Sequence, residues 1–214
     1  MPRCCRAGAC EELFTPRFAQ RSLENFRRKG VGGVERRMLA TASEPGLEGA
    51  RVLEIGGGIG ALQAELLGAG AERGEVVEVV GAYEPYAREL ARERGIEGRT
   101  SFRVVDVLDE PDAVEPADVV LLNRVVCCSP DGVELARRSA ALSRRMLVLS
   151  FPRDAFWVRF GIRVVNVGFR VFGRSFRIFA HPRAALLAAA EAEGMTLTDG
   201  WRGAAWELTA FRRT

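Results

Sequence analysis

A run of glycines directly after a short apolar stretch is the feature that most constrains the fold. Residues 51–62 read Arg-Val-Leu-Glu-Ile-Gly-Gly-Gly-Ile-Gly-Ala-Leu. The apolar residues before the glycines are typical of a parallel strand that is covered on both faces. Residues 61–67 favour a helix. A strand, a glycine turn and a helix in this order bring backbone close to a ligand, because glycine lacks the side chain that would hold the ligand away.

Two classes of cofactor use such a turn, and the residue before it separates them. Read as G-x-G-x-x-A, Gly56, Gly58 and Ala61 fit a dinucleotide fingerprint, with the pyrophosphate at the helix N-terminus. Glu54, however, lies inside the strand just before the loop. A carboxylate there suits a cationic ligand better than a diphosphate, because like charges repel in a partly desolvated cleft. The cationic ligand is therefore favoured, and a dinucleotide stays the alternative.

This stretch resembles the first motif of the class I S-adenosylmethionine-dependent methyltransferases, and the resemblance covers about residues 49–212. It implies that the glycine loop passes under the amino-acid part of S-adenosylmethionine and that Glu54 helps to hold its ammonium group. The loop glycines are Gly56, Gly57, Gly58 and Gly60. Residues 127–131 and 150–154 are further similar to bacterial proteins related to the magnesium-protoporphyrin O-methyltransferases.

The second apolar stretch predicts a strand over 76–83 with Glu84 at its carboxyl end. In nucleoside-binding proteins of this fold, an acid about 20 residues beyond the loop bonds the ribose hydroxyls. Glu84 has the better context for this role, and Glu78, inside the predicted strand, is the reserve candidate. The alternative for Glu84 is a charge favoured by the dipole at a helix N-terminus.

Two further strands carry polar residues toward their carboxyl ends. A strand is predicted over 101–107, and the resemblance implies that Asp106 accepts a hydrogen bond from the adenine amino group, with Val107 beside the ring. The alternative for Asp106 is a turn cap. A strand over 117–123 ends in Asn123. Because open α/β sheets bind ligands at the carboxyl ends of their strands, Asn123 is also expected to contact the ligand.

The chain is expected to form a three-layer α/β/α sandwich around a mostly parallel, seven-stranded sheet. A fifth strand is predicted over 145–150, and strands over 196–201 and 205–211 form a closing antiparallel hairpin. Such a hairpin resembles the end of the methyltransferase sheet and departs from a dehydrogenase, which would need further βαβ units. Residues 46–214 are expected to form the methyltransferase domain.

Residues 1–45 are interpreted as an N-terminal helical arm. An irregular tail over 1–10 precedes one helix over 11–29 and another over 34–41. The resemblance implies that these helices lie over the cofactor cleft. A solvated helical arm is the alternative.

An insertion over 154–180, rich in arginine and aromatic residues, separates the fifth strand from the last helix. Five arginines fall on one narrow stripe at helical spacing, but three glycines favour a bent helix or two pieces. We weigh three interpretations of residues 156–179: a cap with its aromatic residues in the core, a lid over the substrate pocket, and a helix on an anionic membrane. The last two imply an apolar, anionic substrate. No nucleic-acid recognition module is evident, so nucleic acid is not favoured.

Composition is that of an ordinary globular protein of about one domain. Of the 214 residues, 48% are hydrophobic and 28% charged, and the net charge is +3. The first dozen residues lack the apolar core of a secretory signal, and no stretch approaches the roughly 20 apolar residues of a membrane-spanning helix. With five cysteines, an odd number, these features predict a cytoplasmic protein with reduced thiols, which the insertion could bring to a membrane.

The cysteines and the single histidine were considered as functional groups. The cysteines are Cys4, Cys5, Cys10, Cys127 and Cys128. Their spacing matches no standard zinc site, so no metal is predicted, and Cys127 and Cys128 are interpreted as small apolar fillers. His181 could act as a catalytic base because its pKa lies near neutrality. The alternative is a structural residue ahead of the helix that Pro182 opens.

These observations predict an S-adenosylmethionine-dependent methyltransferase that transfers a methyl group by in-line displacement to a small, apolar and anionic acceptor, with O-methylation favoured. Two alternatives remain open. One is an NAD(P)-dependent dehydrogenase, and the other is a non-catalytic, membrane-associated protein that binds the cofactor.

Overall fold

A computed structural model describes residues 5–213 of the chain, which contain one mixed seven-stranded sheet between two layers of helices. The strands are β1 Arg51–Ile55, β2 Arg73–Glu78, β3 Thr100–Val104, β4 Ala117–Asn123, β5 Ser143–Pro152, β6 Met195–Arg202 and β7 Trp206–Arg213. The α-helices are α1 Cys5–Leu13, α2 Pro16–Lys29, α3 Gly33–Ser43, α4 Ala61–Gly68, α5 Glu84–Glu93, α6 Gly132–Ala141, α7 Phe156–Val171 and α8 Arg183–Glu191. The predicted three-layer fold with an antiparallel C-terminal hairpin is confirmed.

The strand order in the sheet, β3-β2-β1-β4-β5-β7-β6, determines where a ligand can bind. Strands β1 to β5 are parallel, and β7 is inserted antiparallel between β5 and β6. The chain order reverses between β1 and β4, so a crevice opens at the carboxyl ends of these strands.

The core lies on both faces of the sheet because successive strand residues point to opposite sides. On one face, Val52 of β1 belongs to a cluster that includes residues of α2, α3, α4 and α5. On the other face, the next residue, Leu53, belongs to a cluster that includes residues of α6 and α8. Helices α2 and α3 of the predicted arm therefore contribute to one face of the core.

The second and third strands are shorter than predicted, which corrects the position of Glu84. Strand β2 ends at Glu78, residues 81–83 form a helical turn, and Glu84 begins α5. The physical reason is that the carboxylate of Glu78 accepts hydrogen bonds from the backbone N–H groups of Val79 and Val80, which turns the chain. Strand β3 likewise ends at Val104, so that Asp106 lies in the loop that follows.

The N-terminal segment also differs from the prediction. The expected irregular tail and the single helix over 11–29 are wrong for the described residues, because α1 and α2 are separate helices. The break comes at Thr15 and Pro16: Thr15 caps α2 by accepting a hydrogen bond from Phe18 N at 3.3 Å, and Pro16 occupies the first turn. The predicted helix over 34–41 is confirmed by α3. Residues 1–4 lie outside the described residues.

The insertion contains one continuous helix, α7, so the predicted bend is wrong. Gly161 and Gly168 both lie inside it, with no neighbouring atom where a Cβ would be. Glycine weakens a helix by only about 1 kcal/mol per residue, which tertiary contacts can offset. Beyond α7 the chain runs through residues 174–182, which form no helix or strand, to α8.

Glu75, in the middle of β2, provides a test of the packing between the first three strands. Its buried carboxylate pairs with Arg51 of β1 at 2.9 Å and with Arg103 of β3 at 2.5 Å. We expect Glu75→Gln to lower the free energy of unfolding by about 2 kcal/mol, because two charge-assisted hydrogen bonds at a buried site are weakened. Chemical denaturation measures this change.

The matched control is Glu115→Gln, which removes the other carboxylate that Arg51 binds. Glu115 is exposed, so water screens this ion pair and little change in stability is expected. Equal losses in the two variants would contradict the assigned importance of Glu75.

Candidate functional site

A cleft opens at the carboxyl ends of β1, β2 and β4, where the sheet topology predicts a ligand. Two neighbouring pockets lie here, which we call the inner pocket and the outer pocket. The inner pocket lies over the glycine loop and is lined by residues including Cys10, Phe14, Gly56, Gly58, Glu78, Tyr83, Asp106, Val107, Asn123, Arg124 and Cys128. The outer pocket is lined by residues including Phe18, Phe26, Glu35, Arg36, Glu54, Gly57, Asn123 and Arg124. Asn123 and Arg124 line both pockets and so lie between them.

The glycine loop forms a floor of bare main chain. Gly56, Gly58 and Gly60 have φ values of 64°, 56° and 72°, in the left-handed region that other residues rarely adopt. A Cβ on Gly56 would come within 2.5 Å of the Val125 side chain, and one on Gly57 within 2.8 Å of the Glu54 side chain. Glycine is therefore required both by the conformation of the loop and by its close packing.

Glu54 is placed under this loop as predicted at the sequence level, and it borders the outer pocket. Its side chain is buried and accepts a hydrogen bond from Gln63 N in the first turn of α4, at 3.0 Å. The pKa of Glu54 is raised to about 8, mainly by burial; the hydrogen bond from Gln63 N opposes this shift, and the nearby Glu78 carboxylate adds to it. A carboxyl group in this setting would become easier to ionise beside a positively charged ligand.

The acid at the end of β2 is Glu78, the reserve candidate, and not Glu84. Glu78 is buried, lines the inner pocket and accepts a hydrogen bond from Gly58 N at 3.1 Å. Burial raises the pKa of Glu78, although three backbone N–H groups bound to its carboxylate oppose the shift. Glu84 instead pairs with Arg88 at 2.5 Å on the surface of α5 and is not among the residues that line the cleft.

The sequence contained a signal that favoured Glu78. It lies 18 residues after Gly60, within the spacing expected for a ribose-binding acid. The apolar residues that follow Glu78 extend the predicted strand beyond its true end, and the sequence pattern therefore favours Glu84 as the ribose-binding acid.

Asp106 and Val107 both line the inner pocket, in the turn that follows β3. Asp106 Oδ1 accepts a hydrogen bond from Leu108 N at 2.9 Å, so it also caps this turn. The side chain of Val107 is buried and belongs to the apolar core below the cleft. The structure thus brings these residues together with Glu78 and the loop glycines, and their roles toward a ligand stay predictions.

Asn123 ends β4 as predicted and connects two neighbouring elements. Its Oδ1 accepts a hydrogen bond from Ser150 Oγ at 2.7 Å, and its Nδ2 donates to Glu35 Oε1 at 3.3 Å. Glu35 belongs to α3 of the arm and also pairs with Arg124 at 3.0 Å. Arg124 has a φ of 60°, rare for a residue with a side chain, and its guanidinium lies 4.8 Å from the Trp206 ring centre.

Glu35 and Arg124 are cleft residues that the sequence analysis missed. Their pairing joins residues that are distant in the chain, and no local motif marks either of them. Only the position of Arg124, directly after a strand-end asparagine, could have drawn attention to it.

His181 is not brought into the cleft, which corrects the expectation of a catalytic base. It is not among the residues that line either pocket. Its Nε2 lies 3.0 Å from the carbonyl oxygens of both Val126 and Ser129, so this nitrogen carries a proton and donates it to them. The ring stacks on Phe179. His181 therefore holds the turn after β4, as the structural alternative proposed.

The described cysteines are free thiols, and no metal-ligand cluster of three or more His, Cys, Asp or Glu side chains occurs within residues 5–213. Cys10 and Cys128 line the inner pocket. Burial raises the pKa of Cys10 to about 11, so this group is a neutral thiol near pH 7. Cys127 is buried and its Sγ lies 3.3 Å from Arg124 O. Cys4 and the side chain of Cys5 lie outside the described part of the chain.

Two segments that are distant in sequence meet beside the inner pocket. Phe14 directly follows α1 and lines the inner pocket. Its ring contacts Tyr83 and Phe176, with ring centres 6.3 Å and 5.6 Å away. The carboxylate of Glu12 accepts hydrogen bonds from Ser175 N at 2.8 Å and from the Ser175 hydroxyl. The arm and the segment after α7 therefore contact each other beside the cleft, through hydrogen bonds and packed aromatic rings.

The sequence matches no protein-family model and no curated protein. The structure, in contrast, resembles many solved structures. Magnesium protoporphyrin IX methyltransferase from Synechocystis PCC 6803, solved with bound SAH, has a TM-score of 0.75 and 18% identity over 98% of this chain and 100% of that one. The fold is that of the class I methyltransferases.

Two further methyltransferases have the same fold. An O-methyltransferase family 2 protein from Planctomyces limnophilus DSM 3776, in complex with apigenin, has a TM-score of 0.70 and 19% identity over 93% of this chain and 61% of that one. A geranyl diphosphate methyltransferase, in complex with GPP and sinefungin, has a TM-score of 0.67 and 15% identity over 85% of this chain and 77% of that one. The structural similarity, and not these low identities, establishes the fold.

The buried Glu54 carboxyl predicts a specific pH dependence of stability. Burial raises its pKa from the ordinary 4.5 to about 8, so between these pH values the folded chain keeps a proton that the unfolded chain has lost. Its contribution to the free energy of unfolding therefore falls as the pH rises through this window and is level above it. Glu54→Gln, which retains an oxygen for Gln63 N, removes this contribution.

We expect Glu54→Gln to become progressively more stable than the ligand-free wild type between about pH 4.5 and pH 8. Denaturant unfolding at several pH values measures the difference. Glu78, whose pKa is also raised, is present in both proteins, so the difference reports Glu54 together with its interaction with Glu78. A difference in the free energy of unfolding that stays the same at every pH would contradict the assigned burial of the Glu54 carboxyl group.

Proposed function

We propose that the chain is a methyltransferase that uses S-adenosylmethionine. The observation that carries this proposal is the pair of buried carboxyl groups, Glu54 and Glu78, on either side of a floor of glycine backbone. Both have raised pKa values, so they are suited to a ligand that brings positive charge and hydroxyl donors into the cleft.

Each part of the cofactor has candidate partners in this cleft. Glu54 would hold the ammonium group, Glu78 the ribose hydroxyls, and Asp106 the adenine amino group with Val107 beside the ring. The backbone of Gly56, Gly57, Gly58 and Gly60 would pass beneath the amino-acid part. Asn123, which lies between the two pockets, would be nearest to the boundary between cofactor and acceptor.

The same carboxyl groups argue against the dinucleotide alternative. A pyrophosphate over the glycine loop would lie beside Glu54 and Glu78, and it would disfavour their ionisation further, whereas a cationic ligand would favour it. Among the described residues, Arg124 is the only arginine or lysine that lines the inner pocket and could pair with a pyrophosphate there. A dehydrogenase is therefore the weaker hypothesis.

The chain's own residues would act mainly by position. The sulfonium methyl group of the bound cofactor is itself electrophilic and is transferred by in-line displacement. The strand ends and the glycine loop would align the donor, and Phe14, which lines the inner pocket and packs against Phe176, would exclude water. His181 donates its Nε2 proton to two carbonyl groups, so catalysis by an imidazole is not part of this proposal.

The outer pocket indicates the acceptor. It combines apolar residues, among them Phe18 and Phe26, with three basic side chains and two carboxyl groups, so basic groups are in excess; these are Lys29, Arg36, Arg124, Glu35 and Glu54. This mixture suits a small apolar molecule with a negative group, as the names of two structural neighbours, which act on magnesium protoporphyrin IX and geranyl diphosphate, also suggest. A carboxylate acceptor is ionised near pH 7 and needs no general base, so O-methylation is favoured. A cytoplasmic protein with free thiols is consistent with this proposal.

Titration with S-adenosylhomocysteine, S-adenosylmethionine and NAD tests the cofactor directly. We expect both adenosyl compounds to bind and NAD to give no signal. Glu78→Gln should weaken S-adenosylhomocysteine binding about 10- to 100-fold, because a charge-assisted hydrogen bond contributes about 1.5–3 kcal/mol.

The matched control is Glu84→Gln, which makes the same change at the rejected candidate. It should leave the dissociation constant unchanged, because Glu84 faces solvent beside Arg88. Thermal unfolding of both variants shows that they remain folded. Equal loss of affinity in both, or tight NAD binding, would overturn the assignment. Incubation with labelled methyl donor and aromatic or aliphatic carboxylic acids then separates an enzyme from a non-catalytic binding protein.

A further inference from the structure

The outward face of α7 carries a continuous row of large apolar side chains. Five residues at positions i, i+4, i+8, i+11 and i+15 lie on one side of the helix, each with 55–80% of its surface exposed. We call this row the apolar ridge; its members are Phe156, Phe160, Val164, Val167 and Val171. Exposed apolar residues are ordinary singly, but a contiguous row marks an interaction surface.

The opposite face of α7 attaches the helix to the domain and fixes this orientation. Asn166 Nδ2 donates to Ile178 O at 2.8 Å, and Asn166 Oδ1 accepts from Ile178 N at 2.9 Å. Phe169 packs edge-on against the buried Phe176, with ring centres 5.7 Å apart. The ridge therefore cannot turn inward unless these contacts break.

Positive charge lies directly beside the ridge. Arg159, Arg163 and Arg170 are exposed and follow one stripe of the helix, adjacent to the apolar row at about 100° per residue; Arg159 also pairs with Asp154 at 3.3 Å. No acidic residue occurs between positions 155 and 190. The surface is thus both apolar and strongly basic, whereas ordinary solvated helices alternate charges of both signs.

An apolar ridge beside a row of arginines favours one kind of binding partner. A second copy of the chain would place the two arginine stripes close together, and like charges would oppose the contact. An anionic lipid surface accepts the apolar side chains among its acyl chains and pairs the arginines with its headgroups. None of the helices in the described residues is long and apolar enough to cross a bilayer, so α7 would lie in the plane of the surface.

We propose that α7 is a membrane-docking helix, which inserts its apolar ridge into an anionic lipid surface. This proposal goes beyond the proposed methyl transfer and is independent of it. The helix also leads into the segment whose Phe176 packs against Phe14, a residue that lines the inner pocket. Docking would therefore hold the cleft beside the lipid in which an apolar acceptor dissolves.

Flotation of the full chain with vesicles tests the proposal. We expect the protein to float with vesicles of phosphatidylcholine and phosphatidylglycerol, and to float much less with phosphatidylcholine alone. The double variant F160S/V164S should lower the partition coefficient by more than about tenfold, because two apolar side chains no longer enter the lipid. R163Q/R170Q should reduce the preference for anionic vesicles and its dependence on salt.

Val164→Ser and Val104→Ser form a matched pair of single variants. The two valines are exposed to a similar degree, 55% and 49%, but Val104 ends β3 away from α7. Only the α7 variant should lose partitioning. S-adenosylhomocysteine affinity, measured without vesicles, should be unchanged in both, so failure of docking and failure of the proposed function are distinguishable.

Three outcomes would overturn the proposal. One is failure to float with the anionic vesicles, and another is flotation that the ridge variants do not change. The third is self-association by analytical ultracentrifugation that F160S/V164S abolishes, since the ridge would then bind a second copy of the chain.

Discussion

The burial of Glu54 and Glu78 beside a turn of bare backbone is the constraint on which the site depends. Carboxyl groups removed from water are unfavourable as ions, and here backbone N–H groups of Gln63, Gly58 and the residues after β2 supply most of their partners. The same bonds shape the loop and end the strand. The free protein therefore holds two carboxyl groups whose ionisation is unfavourable, and a cationic nucleoside would favour their ionised form.

The rest of the fold positions this pair and covers it. Reversal of strand order between β1 and β4 opens the crevice, and Asn123 at the end of β4 connects it to Glu35 of the arm. The arm then meets the segment after α7 through Glu12 and Ser175. Helix α7 contributes no residue to the lining of the inner pocket. The segment that follows it nevertheless contacts Phe14, which does line this pocket.

Local patterns predicted those parts of the site that depend on neighbours in the chain. The β1 strand, the glycine turn, Glu54 and Asn123 follow from apolar runs and glycine spacing. The choice of Glu84 over Glu78 failed because a side chain bound to its own backbone ends the strand inside an apolar run. The Glu35–Arg124 pair and the contacts of His181 join distant segments, so no local pattern records them.

Proton release on cofactor binding tests the central claim most directly. At about pH 6.5 the free Glu54 carboxyl is expected to be protonated and the amine of the cofactor already charged. Calorimetric titration with S-adenosylmethionine in buffers of different ionisation enthalpy counts the protons released. The account predicts release in the wild type and clearly less in Glu54→Gln. Binding with no proton release, or with equal release in both proteins, would contradict it.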